Sequence, residues 1–484
     1  MKDELREVLS GKTEIDRDRI ASLLKTSPEA LRAFEEEYRK LAIDSGYHTD
    51  DLLGVNSRDM SSEVRSCHAI GDGTDSELAS RIVTELCGKT AVLEAGGRKR
   101  SERYLPDAHK VIAPVTAAEI MALPEKRRPQ LTGTLMKVDI TEPSCYAVLD
   151  MYRRSQTAKT EKDRQFAYGM FRRGLDILDL DCVLYEMLSR NPNNMSNWLP
   201  QISMAAAKHG FFQIPETRIA KVPMPLLQLT RIDYRELTPA TLKIVDDWAM
   251  QAFRLDTQKT YFIKTGIFSS KFDFRNARVS GEKEVRELGE YLLLIHHQAT
   301  VMASPLANPC IYGAATTNEW VVREFIEDVE GNPCIYKGMP LHTEYRVFVD
   351  FDAKEVLGIT PYWDPDVMLR RFSVGFHDSL HDRHDYVIYK AHEGKLMQRY
   401  RENASAVSDR IAELLPDTEL CGQWSIDVMQ NGSDFWIIDM ATADTSALQE
   451  CVPKGKLRPR SEHWLPEGPA ALQEAQAFKR EERA

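Results

Sequence analysis

The chain of 484 residues has no run of about 18 consecutive apolar residues, the length that a membrane-spanning helix needs. It has few cysteines for its size, eight in all (Cys67, Cys87, Cys145, Cys182, Cys310, Cys334, Cys421 and Cys451), and no Cys-x-x-Cys pair. That pattern excludes a disulfide framework and a cysteine-built zinc site, and it predicts reduced, mostly buried thiols. There is no internal repeat and no low-complexity tract. Nor is there an excess of positive charge: 63 Lys+Arg stand against 74 Asp+Glu, a net charge of −11, so nucleic acid is not gripped by bulk charge. The opening MKDELREVLSGK alternates charges and lacks the apolar core of a signal peptide, and a cytoplasmic protein is expected.

What is present describes an ordinary globular chain, with 43% hydrophobic and 28% charged residues. At roughly 150 residues per domain, two or three domains fit. The first part is helical in character. Ser27-Pro28-Glu29 caps a run in which Leu31, Phe34, Tyr38 and Leu41 recur at helical spacing, and SELASRIVTEL is a second such run. GGRKRSER and PEKRRPQ are basic and poor in apolar anchors, and read as solvated loops. Between about Ser144 and Arg190 a longer helical region is expected, with Phe166, Met170, Leu175, Leu178 and Leu184 on its inner faces.

Near residue 198 the texture changes to short β-like runs with helices between them. FFQIPETRIAKV, YFIKTG, EWVVREFIE, TEYRVFVDF and EVLGITPYW read as strands, and Thr238-Pro239 opens a helix. Helices are also expected from about Lys283 to Ala299 and around Ala404–Leu415. GQWSIDVMQ and DFWIIDMAT, joined by Asn431-Gly432, form a hairpin. The fold class is therefore α/β (α+β), with mixed and antiparallel sheets in the C-terminal half and a mainly helical N-terminal region. The divisions expected are 1–143, a helical domain; 144–240, a helical linker; 241–452, the mixed domain; and 453–484, a polar tail.

Four pieces of the C-terminal half carry chemistry. Lys264 lies in a strand and Lys271 follows in GIFSSKFDFR, where ammonium groups can point at phosphate or, at strand ends, at solvent. EWVVREFIED can offer its backbone and Phe325 or Ile326 to a purine, with Glu327 or Asp328 on ribose hydroxyls; it also reads as a plain strand before an acidic turn. Arg346 sits mid-strand beside Phe348 on the face opposite Val347 and Val349, so a phosphate oxygen or a salt bridge to Glu344 would satisfy it. Asp427 and Asp439 end the apolar arms WSID and WIID of one hairpin. Carboxylates brought side by side repel unless magnesium neutralises them, or unless they face solvent or pair with lysines.

Other signals are weaker. His377, His381 and His384 have helical spacing suited to zinc, but the surrounding acids make a solvated loop the expectation. Gly88-Lys89-Thr90 lacks the glycine five residues earlier that a phosphate loop requires, because Val83 stands there. AIGDGTD has too few ligands for a calcium loop, and His296-His297 reads as a cation at a helix C-terminus.

Taken in order, K…SSKFD, V-x-R-x-F-x-E, E-Y-R-x-F-V and I-D-V…W-I-I-D resemble the ATP-grasp superfamily over about residues 198–450. The order is similar to that of its arginine-and-two-lysine clade, and to the cell-division-cycle ATP-grasp family that assists assembly of a translation initiation factor. The resemblance implies ATP and Mg2+ as ligands. Lys264, Lys271 and Arg346 would then lie on phosphate, Lys271 and Arg346 taking part in catalysis. Arg323, Phe325, Ile326 and Glu327 would surround adenosine, and Asp427 and Asp439 would hold metal. Such families commonly place an asparagine ligand two residues after the last acid; here that position is Ala441, leaving Thr442 or, better, Asp444 to substitute. Arg275 and Arg278 are candidates to hold an acidic substrate. The implied activity is an ATP-dependent ligase that joins a carboxylate to an amine or similar nucleophile through an acylphosphate. The acceptor would be a small molecule or a protein or other macromolecule. The rivals are an ATP-binding assembly or adaptor protein without turnover, and a kinase or nucleotidyltransferase using the same pocket.

Overall fold

The computed structural model describes residues 76–97, 188–189, 191–230, 232–302, 317–372 and 380–458, with shorter stretches between 102 and 177. The helix expected after Ser27, the AIGDGTD turn and the tail beyond 458 lie outside the described residues.

The first sheet contains β1 (Ala91–Ala95), β2 (Glu102–Tyr104), β4 (Thr217–Lys221), β5 (Tyr261–Thr265), β6 (Arg278–Val279) and β7 (Glu319–Glu324). Its order is β2-β1-β4-β7-β5-β6, and every pairing is antiparallel. The second contains β3 (Phe212–Gln213), β10 (Thr343–Asp350), β11 (Glu355–Pro361), β12 (Gln423–Asn431) and β13 (Asp434–Thr442), ordered β11-β10-β12-β13-β3. Only β3 runs parallel to its neighbour, so this sheet is mixed. A small hairpin, β8 (Cys334–Ile335) and β9 (Met339–Pro340), lies between β7 and β10 in sequence.

Three helices, α1 (Ser76–Gly88), α4 (Pro239–Phe253) and α5 (Leu288–Met302), cover one face of the first sheet. Thr238 caps α4 by accepting from the Thr241 amide at 3.3 Å, and Pro239 occupies the first turn, where its missing N–H costs nothing. Trp248 and Leu242 of α4 and Leu292 and Ile295 of α5 pack there with Val92, Ala220, Ile263 and Trp320. The two helices approach so closely that a Cβ on Gly289 would lie 2.6 Å from the Val245 carbonyl oxygen. The segment 76–95, expected within the N-terminal helical domain, thus supplies a helix and a strand to the sheet that also holds β5 and β7.

A second core joins the sheets. Ile219 and Val321 of the first meet Val347, Val349, Ile426, Val428 and Ile437 of the second, with Trp198 and Ile202 of α3 (Met195–His209). Val407, Ile411 and Leu414 of α6 (Leu380–Leu414) complete it. Helix α6 begins 24 residues before the expected Ala404. Its many charges hide the pattern, but Tyr389, Leu396, Val407, Ile411 and Leu414 are buried, and their spacing keeps them on one helix face. Helix α2 (Glu161–Ile177) corrects another expectation: Phe166 is 61% and Met170 38% exposed, so neither is on an inner face.

Candidate functional site

Cross-strand register decides which side chains meet. In an antiparallel sheet, residues directly opposite one another share a face. In the second sheet Arg346, Asp427 and Asp439 lie opposite one another on β10, β12 and β13. In the first, Lys264 pairs with Val321 and Phe262 with Arg323, which puts Lys264 and Arg323 on one face. These two faces bound a cleft of about 160 Å3 that Lys264, Lys271, Arg323, Phe325, Asp427 and Asp439 help to line. That is well beyond the roughly 10–15 Å3 that a single water needs, so the cleft is large enough to admit water and is not a packing defect.

Each acid is bonded to a cation. The Lys264 ammonium, on a side chain 2% exposed, donates to both oxygens of Asp439 at 2.9 Å, joining the two sheets. The Arg346 guanidinium forks onto Asp427, Nε to Oδ1 at 2.8 Å and Nη2 to Oδ2 at 2.7 Å. Burial by itself would lower the Arg346 pKa, but Asp427 outweighs it and holds the guanidinium above its ordinary range. Arg346 thus bonds Asp427 and not the Glu344 that its sequence neighbourhood offered.

Arg323 is held differently. The register runs Asp427 to Asp439 and then Val428 to Ile437, so Ile438 is the extra residue of a β-bulge. Its carbonyl accepts from Arg323 Nη1, and Thr217 Oγ1 accepts from Nε at 3.1 Å. Nη2 is buried with no hydrogen-bond partner. Burial draws the Arg323 pKa down to about 10, with Asp439 opposing the fall. A buried guanidinium with a spare donor on a wet cleft suits an anionic ligand.

Lys271 sits in a tight turn at Lys271–Asp273. It donates to the Tyr362 hydroxyl, and its ammonium lies 4.5 Å from the centre of that ring, which Arg346 also approaches at 4.8 Å. Glu344, two residues before Arg346 on β10, lines the same cleft. Burial pushes its carboxyl up to about 7 against the pull of Lys271, with Asp427 adding to the rise.

Phe325 and Ile326 form part of the apolar wall with Phe262, Met339 and Pro340. Glu327 is not among the lining residues; it lies 3.8 Å from Arg278, whose guanidinium stacks on the Phe325 ring at 4.9 Å. Arg275 bonds Asp273 at 3.1 Å, and neither arginine lines the cleft. Asp444 follows β13 in a short turn, Ala443–Thr445, outside the lining set, and Ala441 faces Ser425 across the hairpin. Among the described residues, no group of three or more His, Cys, Asp or Glu side chains is arranged to hold a metal ion.

Two histidine expectations change. His384 is not in a solvated loop but is buried on α6, with Nδ1 3.2 Å from Asp385; His377 lies outside the described residues. His296 is not a helix-terminal cation. It is buried within α5, its Nδ1 accepts from Trp320 Nε1 at 2.9 Å, and burial lowers its pKa to about 4, which keeps it neutral. All four described cysteines are free, and Cys421 among them is exposed.

No family model matches the chain, and no curated protein matches it. Among solved structures, the chain is similar to Cdc123 from Schizosaccharomyces pombe, with 14% identity over 56% of this chain and 96% of that one, and a TM-score of 0.32. A C-terminally truncated Cdc123 from the same organism gives 13% identity, 52% and 86% coverage and a TM-score of 0.29.

Proposed function

We propose that the cleft binds ATP with magnesium, as in the ATP-grasp superfamily and its arginine-and-two-lysine clade, and that the chain is an ATP-dependent ligase acting through an acylphosphate. The observation that carries this reading is the meeting of Lys264 and Arg323 with two carboxylates in register along the cleft, with Arg346, outside the lining residues, forking onto Asp427 from behind. Four cations suit a triphosphate: the Arg323 spare donor and the Arg346 fork as hydrogen-bonding groups, Lys264 and Lys271 as point charges. Phe325 and Ile326 supply an apolar surface for the base. Magnesium takes one or two carboxylates together with phosphate oxygens, and Asp427 and Asp439 meet that requirement. When bound it would neutralise phosphate charge; the protein's own contribution is to place the reacting groups and keep cations around them.

A second reading, an assembly or adaptor protein that holds ATP without turnover, is favoured by one feature. Ala441, facing Ser425, offers no third oxygen ligand, and Asp444 does not line the cleft. Calorimetric titration of ATP with and without magnesium, on wild type and Asp427→Ala, tests the pocket; phosphate release across a panel of amines separates the readings. Magnesium-dependent binding lost in the variant is the expected result. Absence of ATP binding by the wild type overturns both readings.

A further inference from the structure

The two acids that would hold magnesium are bonded to two of the cations that would hold phosphate. Lys264 occupies both oxygens of Asp439, and the Arg346 fork occupies both oxygens of Asp427. A bare triphosphate entering this cleft finds two of its four cations, Lys264 and Arg346, already neutralised, leaving Arg323 and Lys271 against two carboxylates that repel it. A bare dication meets carboxylates already neutralised, with an ammonium 2.9 Å from the oxygens it needs. Only joint arrival resolves the conflict: the acids pass to the metal, the cations pass to phosphate, and every charge keeps an opposite partner.

We infer that these two ion pairs make nucleotide and metal binding mutually dependent, each ligand freeing the side chains that the other requires. This rests on the ATP–magnesium reading and concerns the regulation of that site. The Lys264–Asp439 pair also ties the first sheet to the second, so the same exchange breaks a link across the cleft. By linkage, the factor by which metal tightens nucleotide equals the factor by which nucleotide tightens metal.

The coupling makes a prediction opposite in sign to simple ligand loss. Removing an acid should free its cation and improve metal-free nucleotide binding, while abolishing the gain from magnesium. With the full chain in EDTA, Asp439→Asn and Asp427→Asn should each bind ATP on the order of tenfold tighter than wild type, the worth of one charge-assisted contact regained. Lys264→Met should bind Mn2+ tighter than wild type in the absence of nucleotide, read by the loss of free-ion paramagnetic signal. Thermal unfolding of each variant identifies those that fold, and either kind suffices. If the wild type binds Mg–ATP while the folded variants show no gain in EDTA or for Mn2+ alone, the coupling is overturned and the pocket stands. If the wild type does not bind Mg–ATP, the pocket itself falls, and the coupling with it.

Discussion

Glu344 gives the structure a stability that depends on pH in a calculable way. Its carboxyl is held at about 7 against an ordinary 4.5, chiefly by burial, with Asp427 raising it further and Lys271 and Arg346 pulling it down. Between those two values the folded chain keeps a proton that the unfolded chain has released. Unfolding there releases protons, so stability falls as pH rises through the interval and levels off above it. Holding the carboxyl so far above its ordinary value corresponds to about 3 kcal/mol at pH 8, an upper figure because the cleft admits water. Glu344→Gln keeps the shape and removes the titration. Urea unfolding of both proteins at intervals from pH 4 to pH 8 should therefore show the variant gaining on wild type by roughly 2–3 kcal/mol across that range, with most of the gain between pH 5 and 7.5. A difference that stays constant with pH would refute the reasoning and place Glu344 in water.

His296 works in the opposite direction. The folded chain refuses a proton that the unfolded chain accepts near 6.5, so stability falls as pH drops from 6.5 towards 4. His296→Gln, which keeps an acceptor for Trp320, should flatten that acid limb by about 3 kcal/mol in the same urea titration. Gly289→Ala inserts a methyl against the Val245 backbone of α4, and should cost about 1–3 kcal/mol of stability by the same assay while leaving ATP affinity unchanged.

Much of the architecture was legible because strand and helix periods survive in the sequence. The Asn431-Gly432 hairpin, the Thr238-Pro239 helix start and the alternation of TEYRVFVDF all stand at the expected residues. What was hidden had no local signal. Helix α6 is long and heavily charged, and its apolar face shows only once β10 is in place to cover it. β1 reads as nothing alone, because its partner β4 lies more than 120 residues away. His296 looks like a surface cation until Trp320, on another element, takes its ring nitrogen.

The pairing of Arg346 shows where local reading stops. Glu344 and Arg346 share a face of one strand, so the sequence offers that carboxylate first. Residues two apart along a strand are separated by nearly 7 Å of backbone, whereas directly opposed residues on neighbouring antiparallel strands approach to about 4.5–5.5 Å. Asp427 stands directly opposite, and the guanidinium forks onto it. Glu344 is left facing the cleft without that neutralising partner, which is why burial lifts its carboxyl to about 7. The same step of register brings Asp439 beside Asp427, and the bulge at Ile438 that follows turns a carbonyl to Arg323. One alignment of three strands therefore decides which acid is paired, which is left to titrate, and which arginine keeps an unpartnered donor.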